Sequence, residues 1–371
     1  MTLLDNLNLG CIWCKGYIPE WRRWQNLAPK ESGIRPFYGY NHIGTSEQQV
    51  FGGLVKLQDL HSIFPNDSFN PNILYLISSA MPHFPVRMAQ MAKKAGVKIV
   101  LNQNGVAYPG WFGKGWKRCN RPMLELHRLV DYIFYQSEFC KMSADRFVGS
   151  VCPRWEIAYN PVDTTVFTPG AKCEKNGTVK MLLAGSHGSF YRPQTAIKTL
   201  RLVADTLTDV ELIIAGRFCW HRENGKAEKQ VLEYAMTEGV AGKVRYVGPY
   251  TQKQAIELFR DADLLLHTKY NDPCPRLVVE AMSCGLPVLY SATGGTAELV
   301  GEHAGCGVPG PLDWEMDHPP SPEKLAQGAL KIIDSLESYR FEARKRAVNH
   351  FDVKPWLAKH ERIFLELLKE R

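Results

Sequence analysis

The chain has 371 residues, 45% of them hydrophobic, which is long for one domain and enough for two packed cores. Its formal charge of +7 and pI near 8.8 favour anionic partners, whether sugar nucleotides, nucleic acid or an acidic lipid surface, without choosing among them. No stretch reaches the about 18 apolar residues that span a bilayer, and the polar, acidic start holds no uninterrupted apolar segment. Ten cysteines lie without a repeating interval, and the one close pair, Cys11 and Cys14, lacks the second pair of a structural zinc site. Reduced thiols in a cytoplasmic protein follow, with any membrane contact peripheral.

The first fifty residues, with Trp13, Trp21 and Trp24, give no firm pattern. A helix is expected over 54–63, directly after Gly52 and Gly53. From residue 73 short β-rich runs alternate with helical ones, the pattern of a parallel sheet covered by helices. Strands are expected at 73–78, 98–102 and 131–136, and helices at 86–95, 121–129 and 138–147. The basic and aromatic stretch 111–121, with Lys114, Trp116, Lys117 and Arg118, reads as a mobile surface loop. Proline and glycine punctuation over 160–170 marks a linker, after which a second alternating series begins. Its strands are expected at 179–184, 211–215, 244–247, 263–267 and 287–290, and its helices at 194–206, 228–238, 252–260 and 276–284. The closing segment 353–371 has Trp356, Leu357, Ile363, Phe364 and Leu367 at helical spacing and should pack against a core.

Two strings imitate functional motifs. Gly305, Gly307 and Gly310 match the dinucleotide fingerprint, but Pro309 and Pro311 prevent the helix that would receive a pyrophosphate. Asp261 and Asp263 spell a metal-binding triplet, yet one closes a helix and the other opens a buried strand, which fits a cap or turn.

The informative segment is 271–298. It follows a strand, opens a helix, re-enters a strand at Pro287 and ends beyond Gly294 and Gly295, so its loops gather at the carboxyl edge of the sheet, where open α/β sheets bind ligands. Asp272 before the helix and Glu280 in its first turns can face one crevice and accept from the vicinal hydroxyls of ribose and hexose. Gly294 and Gly295 free the backbone to approach a phosphate, and a helix N-terminus nearby favours negative charge.

This segment resembles family 4 of the retaining glycosyltransferases, within glycosyl transferases group 1. The resemblance rests on Asp272 with Glu280-Ala-Met-Ser-Cys-Gly-Leu-Pro-Val288, and on Gly294-Gly295 with Glu298. Asn160-Pro161-Val162-Asp163 with Phe167 and Pro169, Ser137-Glu138-Phe139, and the run Leu212 to Gly216 before Val247-Gly248 add to it, and it extends over about residues 70 to 371. It implies an α/β protein of GT-B fold, two doubly wound Rossmann-like domains facing each other across a cleft. Residues 1–165 would form the acceptor-side domain, completed by the helix 353–371, and 166–352 the donor-binding domain.

The resemblance implies that Glu280 binds the ribose and that Asp272 lies near the transferred sugar. It also implies phosphate on the Gly294 and Gly295 amides, with Glu298, Gly52 and Gly53 joining the nucleotide site. Departures bear on this. Asp272 stands where glutamate is usual, and Pro273 and Pro275 replace glycines, leaving Cys274, Arg276 and Leu277 as amide donors. Ser186 stands where the phosphate-binding arginine is usual and Tyr191-Arg192 replaces Lys-Gly, so Arg192 becomes the candidate cation, with Lys269 and Arg276 next. Asn104-Gly105 replaces the usual His-Gly, leaving His83 as the nearest histidine candidate.

The implied activity moves a hexose from a nucleotide-diphosphate sugar, of UDP-glucose type, to a glycan, polysaccharide or lipid-linked saccharide. The donor is a substrate, and no cofactor, metal or nucleic acid is expected. Peripheral contact with an anionic membrane surface is expected. The rival readings are a sugar-nucleotide epimerase of the same fold and a donor-binding protein without turnover.

Overall fold

The computed structural model describes residues 18–25, 27, 33–45, 52–149, 151–170, 177–221, 223 and 225–370; Trp13 and the pair Cys11 and Cys14 lie outside them. The first half holds α1 (Ile18–Gln25), β1 (Pro36–Phe37), α2 (Gly52–His61), β2 (Ile73–Ile77), α3 (Pro85–Lys94), β3 (Lys98–Gln103), α4 (Pro109–Phe112), α5 (Trp116–His127), β4 (Tyr132–Tyr135), α6 (Glu138–Phe147) and β5 (Trp155–Ile157). The five strands are parallel in the order β1-β2-β3-β4-β5. β2 is apolar and buried at every position, as a parallel strand covered on both faces must be.

After the connection 158–178 come β6 (Val179–Leu183), α7 (Tyr191–Ala204), β7 (Val210–Ala215), α8 (Lys226–Thr237), β8 (Val244–Gly248), α9 (Gln252–Asp261) and β9 (Leu264–His267). They are followed by α10 (Arg276–Ser283), β10 (Val288–Ser291), α11 (Thr296–Val300), β11 (Gly305–Val308), α12 (Pro322–Asp334), α13 (Leu336–Phe351) and α14 (Val353–Lys369). The second sheet has six strands in the order β11-β10-β9-β6-β7-β8. Its order reverses between β6 and β9, which opens a crevice at the carboxyl ends of those two strands.

The expected two-domain α/β architecture is therefore the one observed, with one refinement. Among the described residues the first sheet runs in chain order with no reversal, yet both of its faces are covered. Met88, Ala89 and Ala92 of α3, Leu126 of α5 and Cys140 of α6 share one core with Leu74, Leu76, Ile99 and Leu101. On the opposite face Leu57 and Leu60 of α2 join Trp356, Ile363, Phe364 and Leu367 of α14 over Ile73, Tyr75, Ile77 and Val100. The last helix thus closes the first sheet, anchored at depth by Tyr75 Oη, 2.9 Å from His360 Nε2.

Three local outcomes differ from the sequence reading or refine it. The stretch 111–121 is not a loop: α4, a 3-10 turn and the first half of α5 occupy it. Asn120 decides this, since its side chain accepts from Ala107 N (3.0 Å) and donates to Ala107 O (2.8 Å), tying α5 to the segment before it. The string starting at Gly305 forms the edge strand β11, where a Cβ on Gly305 would lie 1.9 Å from Val288 O. Asp263 accepts from Lys180 N at 2.9 Å and pairs with Arg340 at 2.8 Å, a turn and packing role. No helix among the described residues is long and apolar enough to cross a membrane.

Candidate functional site

The two carboxyl edges meet along a seam, and a cavity of about 290 Å³ opens beside it. Gly52 and Val55 of α2 line it from the first half of the chain, and Gly185, Ser186, Tyr250, Arg276, Leu277 and Glu280 from the second. The helix α10 starts here because Pro273 and Pro275 hold the preceding loop extended, and Pro275 occupies the N-cap position. The amides of Arg276 and Leu277, in the first turn, have no carbonyl acceptor within the helix.

Next to the cavity lies a cluster of buried charge. Asp272 Oδ2 accepts from His267 Nε2 at 3.0 Å and from Lys269 Nζ at 3.2 Å. Burial alone would raise the Asp272 pKa, but Lys269, His267 and Arg192 together outweigh it and hold the carboxyl below the usual carboxylate range. Burial lowers the pKa of His267, so its imidazole is neutral near pH 7 and donates from Nε2. Arg192 is in the first turn of α7, which begins at Tyr191, and is 3% exposed. Its Nη1 donates to Ser186 O at 2.7 Å, while Nε and Nη2 are buried without a partner among the described residues. A buried guanidinium with two idle donors is costly unless an anion takes them.

Glu280 is buried on α10 and faces the cavity. Burial raises its pKa, opposed by Arg276, whose Nε lies 2.9 Å from Glu280 Oε1. Cys274 is buried, its thiol pushed up to about 12 by burial, and its carbonyl accepts from Asn160 Nδ2 at 2.6 Å. Leu277 packs on Gly185, where a Cβ would come within 3.1 Å of Leu277 Cδ2.

Other expected site residues sit elsewhere or do other work. Gly295 N already donates to Asp272 O (2.8 Å), and a Cβ there would lie 1.9 Å from Pro273 O. Gly294 has φ +74°, and a Cβ would lie 2.6 Å from Asp272 O. Close packing against the 271–273 loop requires both glycines. Glu298 is not in the cavity either: its oxygens accept from Glu138 N (2.8 Å) and Phe139 N (2.9 Å) and cap α6 across the seam. Gly52 lines the cavity, but Gly53 packs on the 79–80 turn, where a Cβ would meet Ala80 Cβ at 2.8 Å. His83 is exposed beside Phe84, whose φ of 53° marks a strained turn, and it lies outside the cavity lining. The Asn104 side chain caps its own turn, accepting from Gly105 N at 2.9 Å, and that turn meets the 271–275 loop: a Cβ on Gly105 would be 2.9 Å from Pro273 Cβ.

Residues 174–346 match the family model of glycosyl transferases group 1. The curated relatives include D-inositol 3-phosphate glycosyltransferases of Mycolicibacterium gilvum, 28% identical over 38% of this chain and 32% of the relative, and of Mycolicibacterium smegmatis, 28% identical over 43% and 36%. The chain thus spans about a third of the length of the curated relatives it matches. Among solved structures, Anabaena HepE in complex with UDP superposes with a TM-score of 0.65 at 18% identity, covering 84% of this chain and 82% of that one. A glycosyltransferase from Rickettsia africae gives 0.62 at 16% identity, covering 86% and 88%. At these identities the superpositions establish the fold, which is GT-B.

The seam holds a group that no sequence signal marked. Lys56 of α2 is 2% exposed, and its Nζ donates to Asn160 Oδ1 (3.0 Å) and Asn102 Oδ1 (3.3 Å). Burial pushes its pKa down to about 7, with Cys274 opposing the shift. Between that value and the ordinary 10.5 the unfolded chain binds a proton that the folded chain has lost, so stability rises with pH across this window. We expect the stability of the parent relative to Lys56→Met to grow by on the order of 2 kcal/mol between pH 7 and 9, read from urea unfolding at both pH values. A difference that does not change with pH would remove the depressed lysine.

Proposed function

We propose that the chain is a retaining glycosyltransferase of family 4 type that moves a hexose from a nucleoside-diphosphate sugar, of UDP-glucose type, to a hydroxyl of a glycan, polysaccharide or lipid-linked saccharide. One observation carries the reading: the buried Arg192, with two idle guanidinium donors, lies close enough to Asp272 at the carboxyl edge of β6 and β9 for each to shift the other's pKa. Two idle donors on a cation suit the oxygens of a diphosphate, and a cavity of about 290 Å³ alongside has room for the nucleoside. Glu280 would accept from the ribose hydroxyls through the oxygen that Arg276 leaves open. Asp272 would hold a hydroxyl of the sugar.

In this reading the acceptor hydroxyl attacks the anomeric carbon from the face on which the diphosphate departs. The bond from that carbon to the diphosphate oxygen breaks, the new glycosidic bond forms, and the acceptor proton passes to the departing oxygen, so the configuration is retained. The protein orients the two substrates and balances charge growing on the leaving group, which Arg192 and the first-turn amides of α10 would do without a metal. Residues 1–165 with 353–371 would be the acceptor side and 166–352 the donor side. Exposed Trp111 and Phe112 beside Lys114, Lys117, Arg118 and Arg121 support contact of the acceptor side with an anionic substrate or membrane surface.

Three measurements test this. Glu280→Ala should weaken UDP binding by one to two decades, the loss of about 1.5 to 3 kcal/mol expected for a charged acceptor, and calorimetric titration reads it. Arg192→Ala should lower the turnover of sugar transfer about 100-fold and raise the Michaelis constant less, because the guanidinium grips the leaving group harder in the transition state. Turnover within a few-fold of the parent would shift the role to Lys269. Transfer should also continue in EDTA; loss that magnesium or manganese restores would replace arginine and amide stabilisation with metal chemistry.

A further inference from the structure

Arg276 stands between two carboxylates that belong to different halves of the fold. Its Nε lies 2.9 Å from Glu280 Oε1, one helical turn on, and its Nη1 lies 2.7 Å from Asp59 Oδ2 on α2. All three side chains are largely withdrawn from water, with exposures of 10% for Arg276, 12% for Glu280 and 19% for Asp59. Burial alone would lower the Arg276 pKa, but Asp59 and Glu280 together outweigh it and raise it, so the guanidinium is charged throughout.

We propose that Asp59 is a positioning residue for ligand binding by Glu280, acting through Arg276; this rests on the reading of the cavity as a nucleoside-diphosphate site. The reason is geometric. A guanidinium four residues before a glutamate on one helix can turn its planar fork onto that carboxylate and occupy both oxygens. Here Asp59 holds Nη1 on the opposite side of the guanidinium and so sets the orientation of its plane, and Glu280 receives one N–H, from Nε. Its Oε2 has no protein partner among the described residues and remains open to a ligand hydroxyl in the cavity that Glu280 lines.

The same helix reaches the donor-side loop at a second point. Lys56 donates to Asn160 Oδ1, and Asn160 Nδ2 donates to the carbonyl of Cys274, two residues before Arg276. Gly52 and Val55 of α2 line the cavity itself. One helix of the first half therefore supplies wall, loop support and the carboxylate that divides the guanidinium. Donor affinity then depends on how the first half is docked, although the carboxylate that meets the ligand belongs to the second.

A purely structural ion pair across the seam makes a different prediction, and a double-mutant cycle separates the two. UDP, GDP and ADP are titrated into the parent, Asp59→Asn, Glu280→Gln and the double variant, with Asp59→Glu as the conservative control. Asp59→Asn should weaken the best-bound nucleotide about tenfold, the size of one charge-assisted hydrogen bond, and Asp59→Glu should recover most of it. The double variant should bind no more weakly than Glu280→Gln alone, because Asp59 acts only through that carboxylate. In sugar transfer the loss should appear in the Michaelis constant for the donor, with turnover within about threefold. Losses that add, or binding by Asp59→Asn equal to the parent, overturn the role of Asp59 and leave the cavity reading intact. A parent that binds none of the three nucleotides overturns the cavity reading and the inference with it.

Discussion

Asp272 carries negative charge where water is largely absent, and a carboxylate in such a place persists only with cations and donors in contact. That requirement organises the edge of the second sheet. His267 from the end of β9, Lys269 from the loop that follows and Arg192 from the first turn of α7 converge on it. Its backbone carbonyl also takes Gly295 N, so the loop after β10 is drawn to the loop after β9. The start of α7 is tied to the same loop, since Thr268 Oγ1 donates to Arg192 O at 3.2 Å and Tyr270 N to Tyr191 Oη at 3.0 Å. Beside this cluster Arg192 Nε and Nη2 are buried without a partner among the described residues.

Polar groups near the ends of elements cross the seam between the halves. Glu298 caps α6, Ser137 Oγ donates to Pro273 O at 2.7 Å, Asn160 holds the Cys274 carbonyl, and Arg276 reaches Asp59. An aromatic contact adds to these, since Trp314 from the segment after β11 stacks on Phe139 at 5.1 Å and meets Tyr108 edge-on at 5.0 Å. Because hydrogen bonds and ion pairs lose strength steeply with distance and angle, small shifts of one half are felt at the 271–276 loop of the other. The ends of the chain enforce the same register: α14 leaves the second half and completes the core of the first.

The glycines show how a motif can be read correctly as a string and wrongly as chemistry. Gly294 and Gly295 are needed because the turn that holds Asp272 comes against them closer than any Cβ would allow. Gly53 answers to the turn at 79–80, and Gly105 to Pro273. The neighbour that excludes a side chain is backbone at Gly294 and Gly295, the Ser79 and Ala80 side chains at Gly53, and a proline at Gly105. A sequence reports that a side chain is missing, and the packing partner appears only in three dimensions.

Local order was legible because its causes are local. The apolar runs of β2, β3, β6, β7 and β9 and the helical spacing in α14 each sit within one segment, so alternation, linker and architecture could be read directly. β1 and β5 are too short to leave a period, and β11 hides in a glycine-rich edge, so these escaped. Within the site the sequence supplied Asp272, Glu280, Arg192, Cys274, Arg276 and Leu277 as one neighbourhood, since helix start and sheet edge bring them together. It did not supply His267 as the partner of Asp272, Asp59 as the partner of Arg276, or the burial of Lys56, and it misplaced Glu298 and Gly295. Those assignments depend on which groups meet across 217 residues for Asp59 and Arg276, or 160 for Glu298 and Glu138. Charge and hydrogen bonding act on distance in space, which the order of residues along a chain does not contain until the two sheets and the returning helix have closed on one another.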